Sequence, residues 1–270
     1  MNQNSEKLIN KLVITTKKGT EMKKIAIYGK GGIGKSTTVA NMAAALALCG
    51  KKVMQIGCDP KADSTSLLRG GAIEGTILDL SREKGNNITL SEMVTEGFAG
   101  TLCVEAGGPK PGTGCAGRGI IIAFDKLAEK GAYDVYKPDV VFYDVLGDVV
   151  CGGFTMPMRG GYADSVYVIT SGENMAIHAA ANIAMAVDSF HGRGYAKLGG
   201  IILNKRDVER ELEKVEELAG DFNTKITGII EHSPLIAKAA EQGKTVAEAF
   251  PDSPEALAYK SLALKILEEA

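Results

Sequence analysis

The chain has 270 residues, 45% of them hydrophobic, and its 31 basic and 33 acidic side chains leave a formal net charge of −2. This excludes a disordered tail and leaves no basic footprint for a polyanion, so no nucleic-acid partner is expected. The 33 glycines make up about 12% of the chain where roughly 7% is ordinary, with no collagen period to account for them.

By size scaling, about 11,000 Å² of folded surface against about 41,000 Å² unfolded gives core enough without staples. Five cysteines in so long a chain do not form a secreted disulfide framework, which points to a reducing, cytoplasmic setting. Residues 1–21 are polar, with no apolar run for a signal peptide or membrane span. They are expected to form a flexible extension ahead of a single domain over residues 22–270.

Residues 24–28 (KIAIY) form a short apolar run ending in glycine. Val39, Met42, Ala43, Leu46 and Ala47 then recur at helical spacing until Gly50, which predicts strand, loop, helix. Further apolar runs fall at 53–57, 102–106, 140–143, 165–170, 200–203 and 226–230. Helical stretches are expected over 117–130, 173–190, 208–222 and 253–269. Repeated βα units with continuously apolar strands imply an α/β fold, a mostly parallel sheet flanked by helices on both faces.

Between the first strand and helix lies Gly29-Lys30-Gly31-Gly32-Ile33-Gly34-Lys35-Ser36-Thr37, which fits the P-loop pattern G-x-x-x-x-G-K-[ST]. Glycines let backbone N–H groups converge on phosphate, Lys35 reaches the β/γ oxygens, and the Ser36 hydroxyl can ligate Mg²⁺, so MgATP is the expected ligand. Lys30 sits too far back to duplicate Lys35 on the same phosphates. It is either solvated or serves a second subunit, as in the deviant Walker A class.

Two acidic segments follow strands, Cys58-Asp59-Pro60-Lys61-Ala62-Asp63-Ser64-Thr65 and Asp144-Val145-Leu146-Gly147-Asp148, at the edge where open α/β sheets bind ligands. A lone aspartate there commonly serves as a cap or turn residue. Beside a phosphate loop the set reads as phosphoryl-transfer machinery: Asp144 holding Mg²⁺ through water, Asp59 and Asp63 sensing the γ-phosphate, Asp148 orienting the attacking water.

Eight of the glycines fall between Gly97 and Gly119, around Cys115, and two follow Cys151 directly. Bare backbone beside cysteine suits an iron–sulfur cluster, whose sulfides accept from backbone N–H groups. The C-x₂₋₄-C zinc spacing is absent, and His178, His191 and His232 show no ligand spacing. Cys49, Cys58 and Cys103 are read as buried hydrophobes. One cluster then needs Cys115 and Cys151 from two subunits, on a two-fold axis; structural or merely reactive thiols are the alternative.

GKGGIGKST, GCDPKADST, CVEAGGPKPGTGCAGRG and VVFYDVLGDVVCGGF followed by MPMR resemble the nitrogenase iron protein (dinitrogenase reductase) family, from Met22 to about Asn204. The resemblance implies a homodimer with one 4Fe-4S cluster held by Cys115 and Cys151 of each subunit, and switch segments at 59–65 and 144–151. It implies ATP-dependent delivery of a low-potential electron, received from a ferredoxin or flavodoxin, to a larger nitrogenase-like catalytic component. Asn204 resembles the family's adenine-contacting asparagine, or is a turn residue. Arg118 resembles the arginine that docks on the catalytic partner and is ADP-ribosylated in some relatives. Two departures, the extension before Met22 and the stop at Ala270 where such proteins commonly continue in a tail, keep related tetrapyrrole and other nitrogenase-like reductases in view. A positioning ATPase would share Lys30 and the fold but has no use for Cys115 and Cys151, and an iron–sulfur scaffold ATPase often presents a C-x-x-C pair, absent here.

Overall fold

The computed structural model describes residues 21–72, 75–108, 116–147, 153, 155–159, 161–190 and 194–270. Of the polar extension only Glu21 is among them. Eight strands form one sheet: β1 Lys23–Gly29, β2 Val53–Gly57, β3 Thr95–Glu96, β4 Leu102–Glu105, β5 Val140–Asp144, β6 Ser165–Thr170, β7 Lys197–Asn204 and β8 Ile226–Ile230. Their order is β3-β4-β2-β5-β1-β6-β7-β8. Every neighbouring pair is parallel except β3 with β4, as a P-loop α/β sheet requires.

The helices are α1 Lys35–Leu48, α2 Ile77–Lys84, α3 Leu90–Met93, α4 Ala116–Glu129, α5 Ala132–Tyr136, α6 Asn174–Ser189, α7 Glu211–Asp221, α8 Pro234–Glu241, α9 Val246–Ala249 and α10 Pro254–Glu269. Strand side chains alternate between two covered faces, which is why the central strands read as unbroken apolar runs. From β1, Ala26 and Tyr28 enter a core with Phe124 of α4, Ile183 of α6 and Val215 of α7. Ile25 and Ile27 enter the opposite core with Val39 and Met42 of α1 and Tyr259 and Leu262 of α10.

Four departures from the sequence expectation have local causes. Helix α7 begins at Glu211 rather than Val208, because Asp207 and Arg210 adopt left-handed backbone at φ 58° and 52° and Arg210 is the N-cap. Cys49, expected buried, is exposed: it caps the outer end of α1. The antiparallel β3 is two residues long, too short for any period to register. Helices α2, α3, α5, α8 and α9 span four to eight residues and likewise lack the length for a pattern.

The sheet turns at β1. The chain builds β2, β4 and β5 on one side of it and β6 to β8 on the other, so the turn after β1 opens into the crevice at the carboxyl edge. Ile27, Asp144, Gly57 and Glu105 pair in one row across β1, β5, β2 and β4 along that edge.

Candidate functional site

The loop between β1 and α1 is shaped by glycine. Gly32 and Gly34 hold φ of 76° and 89°, the left-handed region that costs other residues 1–2 kcal/mol or so. A Cβ on Gly34 would also lie 2.6 Å from Asn204 Nδ2. Asn204 donates to the Ile33 carbonyl at 2.7 Å and Arg206 to the Gly32 carbonyl at 3.0 Å. Two carbonyl dipoles that would repel an anion are thus occupied by donors from the end of β7.

An open groove of about 690 Å³ lies over this loop, lined by Lys30, Lys35, Ser36, Thr37, Asp59, Asp63 and Arg206 among others. Among its walls Lys30 and Asp63 are exposed, Asp59 half-buried and Lys35 buried. Asp59 accepts from the Lys61 N–H at 2.9 Å, holding the turn after β2. A second cavity of about 170 Å³ beside it is lined by Asn204, Thr37, His232 and Tyr259 among others, so Asn204 stands between loop and cavity.

Below the groove, Lys35 Nζ donates to Asp144 Oδ1, and the pair is 6% and 0% exposed. The other oxygen, Asp144 Oδ2, accepts from Ser64 Oγ at 2.5 Å. Ser64 is held in turn by Gln55 Nε2, which donates to its carbonyl at 2.9 Å and its hydroxyl at 3.0 Å. Next along the chain, Thr65 donates to Glu105 Oε1 through its N–H at 2.7 Å and its hydroxyl at 2.6 Å. Burial pushes the Glu105 carboxyl up to about 7 against these bonds, with Asp144 adding repulsion and Arg69 opposing it. Burial also raises the Cys58 thiol, so this cysteine stays a protonated hydrophobe beside the acidic turn.

Gly57 makes this packing possible. A Cβ there would sit 2.1 Å from Glu105 Oε2 and 2.6 Å from Ser64 Cβ. Gly147 plays the same part after β5, since a Cβ would meet the Gly29 carbonyl oxygen at 2.5 Å. The segment following Asp144 therefore rests on the start of the phosphate loop.

Cys115, Cys151 and Asp148 lie outside the described residues. Their chain neighbours do not: a Cβ on Gly117 would fall 2.4 Å from Gly153 Cα, and one on Gly153 would fall 2.1 Å from Gly117 Cα. The two cysteine-bearing segments thus meet backbone to backbone, two residues past each cysteine. A contact that only glycine permits, between thiol-bearing segments rich in N–H donors, fits a cluster held by Cys115 and Cys151. Arg118 is exposed at the first turn of α4, beside that contact. Among the described residues no group of three or more His, Cys, Asp and Glu side chains forms a metal site, and no helix is long and apolar enough to cross a membrane.

Sequence reasoning places Ser64 and Thr65 in a switch segment without giving them partners, and misses Gln55, Glu105 and Arg206. The one signal available is a carboxylate at Glu105 inside the apolar run 102–106, where a lone charge needs a partner.

The parallel sheet, the glycine-built loop and the buried lysine–aspartate pair define a P-loop nucleotide-binding protein. Known structures of that class share the fold: MinD from Aquifex aeolicus superposes with a TM-score of 0.67 at 20% identity, covering 92% of this chain and 98% of that one. A ParA family ATPase from Chlorobium tepidum gives 0.68 at 19% identity over 90% and 98%. In sequence, residues 23–270 match the 4Fe-4S iron sulfur cluster binding proteins of the NifH/frxC family, and the chain belongs to that family. Nitrogenase iron protein 2 of Methanothermococcus thermolithotrophicus is 51% identical over 259 residues, spanning 92% of this chain and 89% of that protein. The kinship therefore continues past Asn204, where the motifs alone fade, to the last helix.

Proposed function

We propose that this chain is the ATP-dependent reductase component of a nitrogenase-type system, a cytoplasmic homodimer that passes an electron to a larger catalytic component. The observation that carries this reading is the glycine contact of Gly117 with Gly153. The two glycines meet without side chains two residues past Cys115 and Cys151, and a two-fold axis would bring four thiolates together. The 4Fe-4S cluster they would hold supplies one-electron chemistry at low potential. A ferredoxin or flavodoxin is the donor this implies.

The chain's own residues then divide the work. With MgATP bound, Lys35 would turn from Asp144 to the β/γ-phosphate oxygens, and Asp144 and the Ser36 hydroxyl would hold the ion. Asp59 and Asp63 line the groove where a γ-phosphate would lie, and Asp148 orients the attacking water. Lys30, exposed at the rim, reaches the partner subunit's nucleotide, and Asn204 turns toward adenine. Arg118 presents its charge to the catalytic partner. Because a ligand shifts an equilibrium only by differential affinity, these contacts must differ between open and closed dimers.

Anaerobic purification with iron and sulfide analysis tests this. About four iron atoms per dimer, lost in Cys115→Ala and in Cys151→Ala, is the expected result. An iron-free protein that still responds to ATP sinks the reading and leaves a positioning ATPase.

A further inference from the structure

We propose that Glu105 is a positioning residue, a clasp by which the first switch segment, residues 59–65, moves the strand and turn that run on to Cys115. This rests on the functional reading above and deepens it. The nucleotide would then act on the cluster through two mechanical routes: the segment from Asp144 to Cys151, and the one from Thr65 through Glu105.

The geometry has three parts. First, consecutive residues are tied to different strands: Ser64 to Asp144 of β5 and Thr65 to Glu105 of β4, with β2 between them. When Lys35 exchanges Asp144 for phosphate, the anchor of Ser64 changes, and Thr65 is the next residue. Second, Glu105 is 5% exposed and takes both of its hydrogen bonds on Oε1. Its Oε2 is buried without a partner among the described residues, as is Gln55 Oε1. A carboxyl so placed that lost Thr65 would keep no hydrogen bond and bear its full desolvation penalty. Independent movement of the two is therefore penalised, and they shift together. Third, a second contact joins the two segments, past Glu105 on one and before Thr65 on the other: a Cβ on Gly108 would lie 2.5 Å from Pro60 Cβ, so the turn after β4 lies directly against the first switch.

Hydrogen exchange of the cluster-loaded dimer, with and without MgATP, tests the clasp. In the wild type, peptides covering 59–68 and 102–120 both change on nucleotide binding. Glu105→Ala is expected to keep the change at 59–68 and diminish the one at 102–120. Glu105→Gln retains an acceptor for Thr65 and restores it, a rescue that a merely structural role does not predict. If Glu105→Ala does not fold, Thr65→Val, which removes one of the two bonds, is expected to diminish the response at 102–120 and spare that at 59–68. An undiminished response at 102–120 in Glu105→Ala or Thr65→Val, or no rescue by Gln, overturns the clasp alone. A wild-type protein without iron, or without any response at 59–68, overturns the functional reading and the clasp with it.

Discussion

Glu105 is held on one side only, and its pH behaviour follows from that. Burial raises its carboxyl to about 7, with the charge of Asp144 adding to the shift and the Thr65 bonds and Arg69 opposing it, while the unfolded chain titrates near 4.5 or so. A folded-state value above the unfolded one means that stability is fully present below the lower value and is lost as pH rises through the upper. Glu105→Gln removes this titration and keeps the shape. Between pH 5 and 8 the wild type is expected to lose about 2 kcal/mol of unfolding free energy relative to the variant. Denaturant unfolding of both proteins at several pH values measures the difference, and parallel pH curves would refute it. The rise also explains why Glu105 tolerates Asp144 in the same row of the sheet: near neutral pH Glu105 can hold a proton.

At the scale of elements, what was legible in the sequence is what lies contiguous in it. The phosphate loop concentrates its chemistry in nine consecutive residues, 29–37, and its strand and helix each carry their own period. Ser64 and Asp144 are 80 residues apart, and Thr65 and Glu105 are 40 apart. They meet only because the sheet orders β4, β2 and β5 side by side, which no local pattern states. Arg206 escaped for the same reason, its partner Gly32 lying 174 residues away. The sequence shows glycine as a cradle for phosphate, and the structure adds what other glycines admit: Gly57 a carboxylate, Gly108 a proline, Gly117 another backbone. Gly117→Ala drives a methyl into the main chain of Gly153, where no side chain can move aside. It is expected to cut iron content several-fold while changing nucleotide affinity far less, since the phosphate loop is untouched. Iron analysis beside equilibrium nucleotide binding separates the two. Helix α10, which packs on α1, offers a control that leaves the Gly117–Gly153 contact intact. Its N-cap Ser253 accepts from the Ala256 N–H at 3.2 Å, so Ser253→Ala is expected to cost about 1 kcal/mol of stability and leave iron content at the wild-type level.

For the whole molecule the decisive relation is between two subunits. Lys35 is buried against Asp144 inside its own chain, whereas Lys30, five residues earlier, points from the same loop into solvent. A lysine costs nothing to solvate, so its position becomes informative only if a second copy closes over the groove. Complementation distinguishes action within a subunit from action across the interface. Take a heterodimer of one Lys30→Ala subunit and one Lys35→Gln subunit, the glutamine keeping a donor for Asp144, isolated through two different tags. If Lys30 serves the partner's site, the Lys30→Ala subunit has its own Lys35 and receives Lys30 from its neighbour, so one site of two is complete. ATP hydrolysis measured with the catalytic component present is then expected at about half the wild-type rate, while both homodimers are inactive. If Lys30 served its own site, neither site of the heterodimer would be complete and hydrolysis would stay at the level of the homodimers. Lys30 would then act within its own groove and the closed dimer would need another source of cross-subunit charge, whereas a Lys30→Ala homodimer that hydrolyses ATP at the wild-type rate would make the lysine a solvated loop residue.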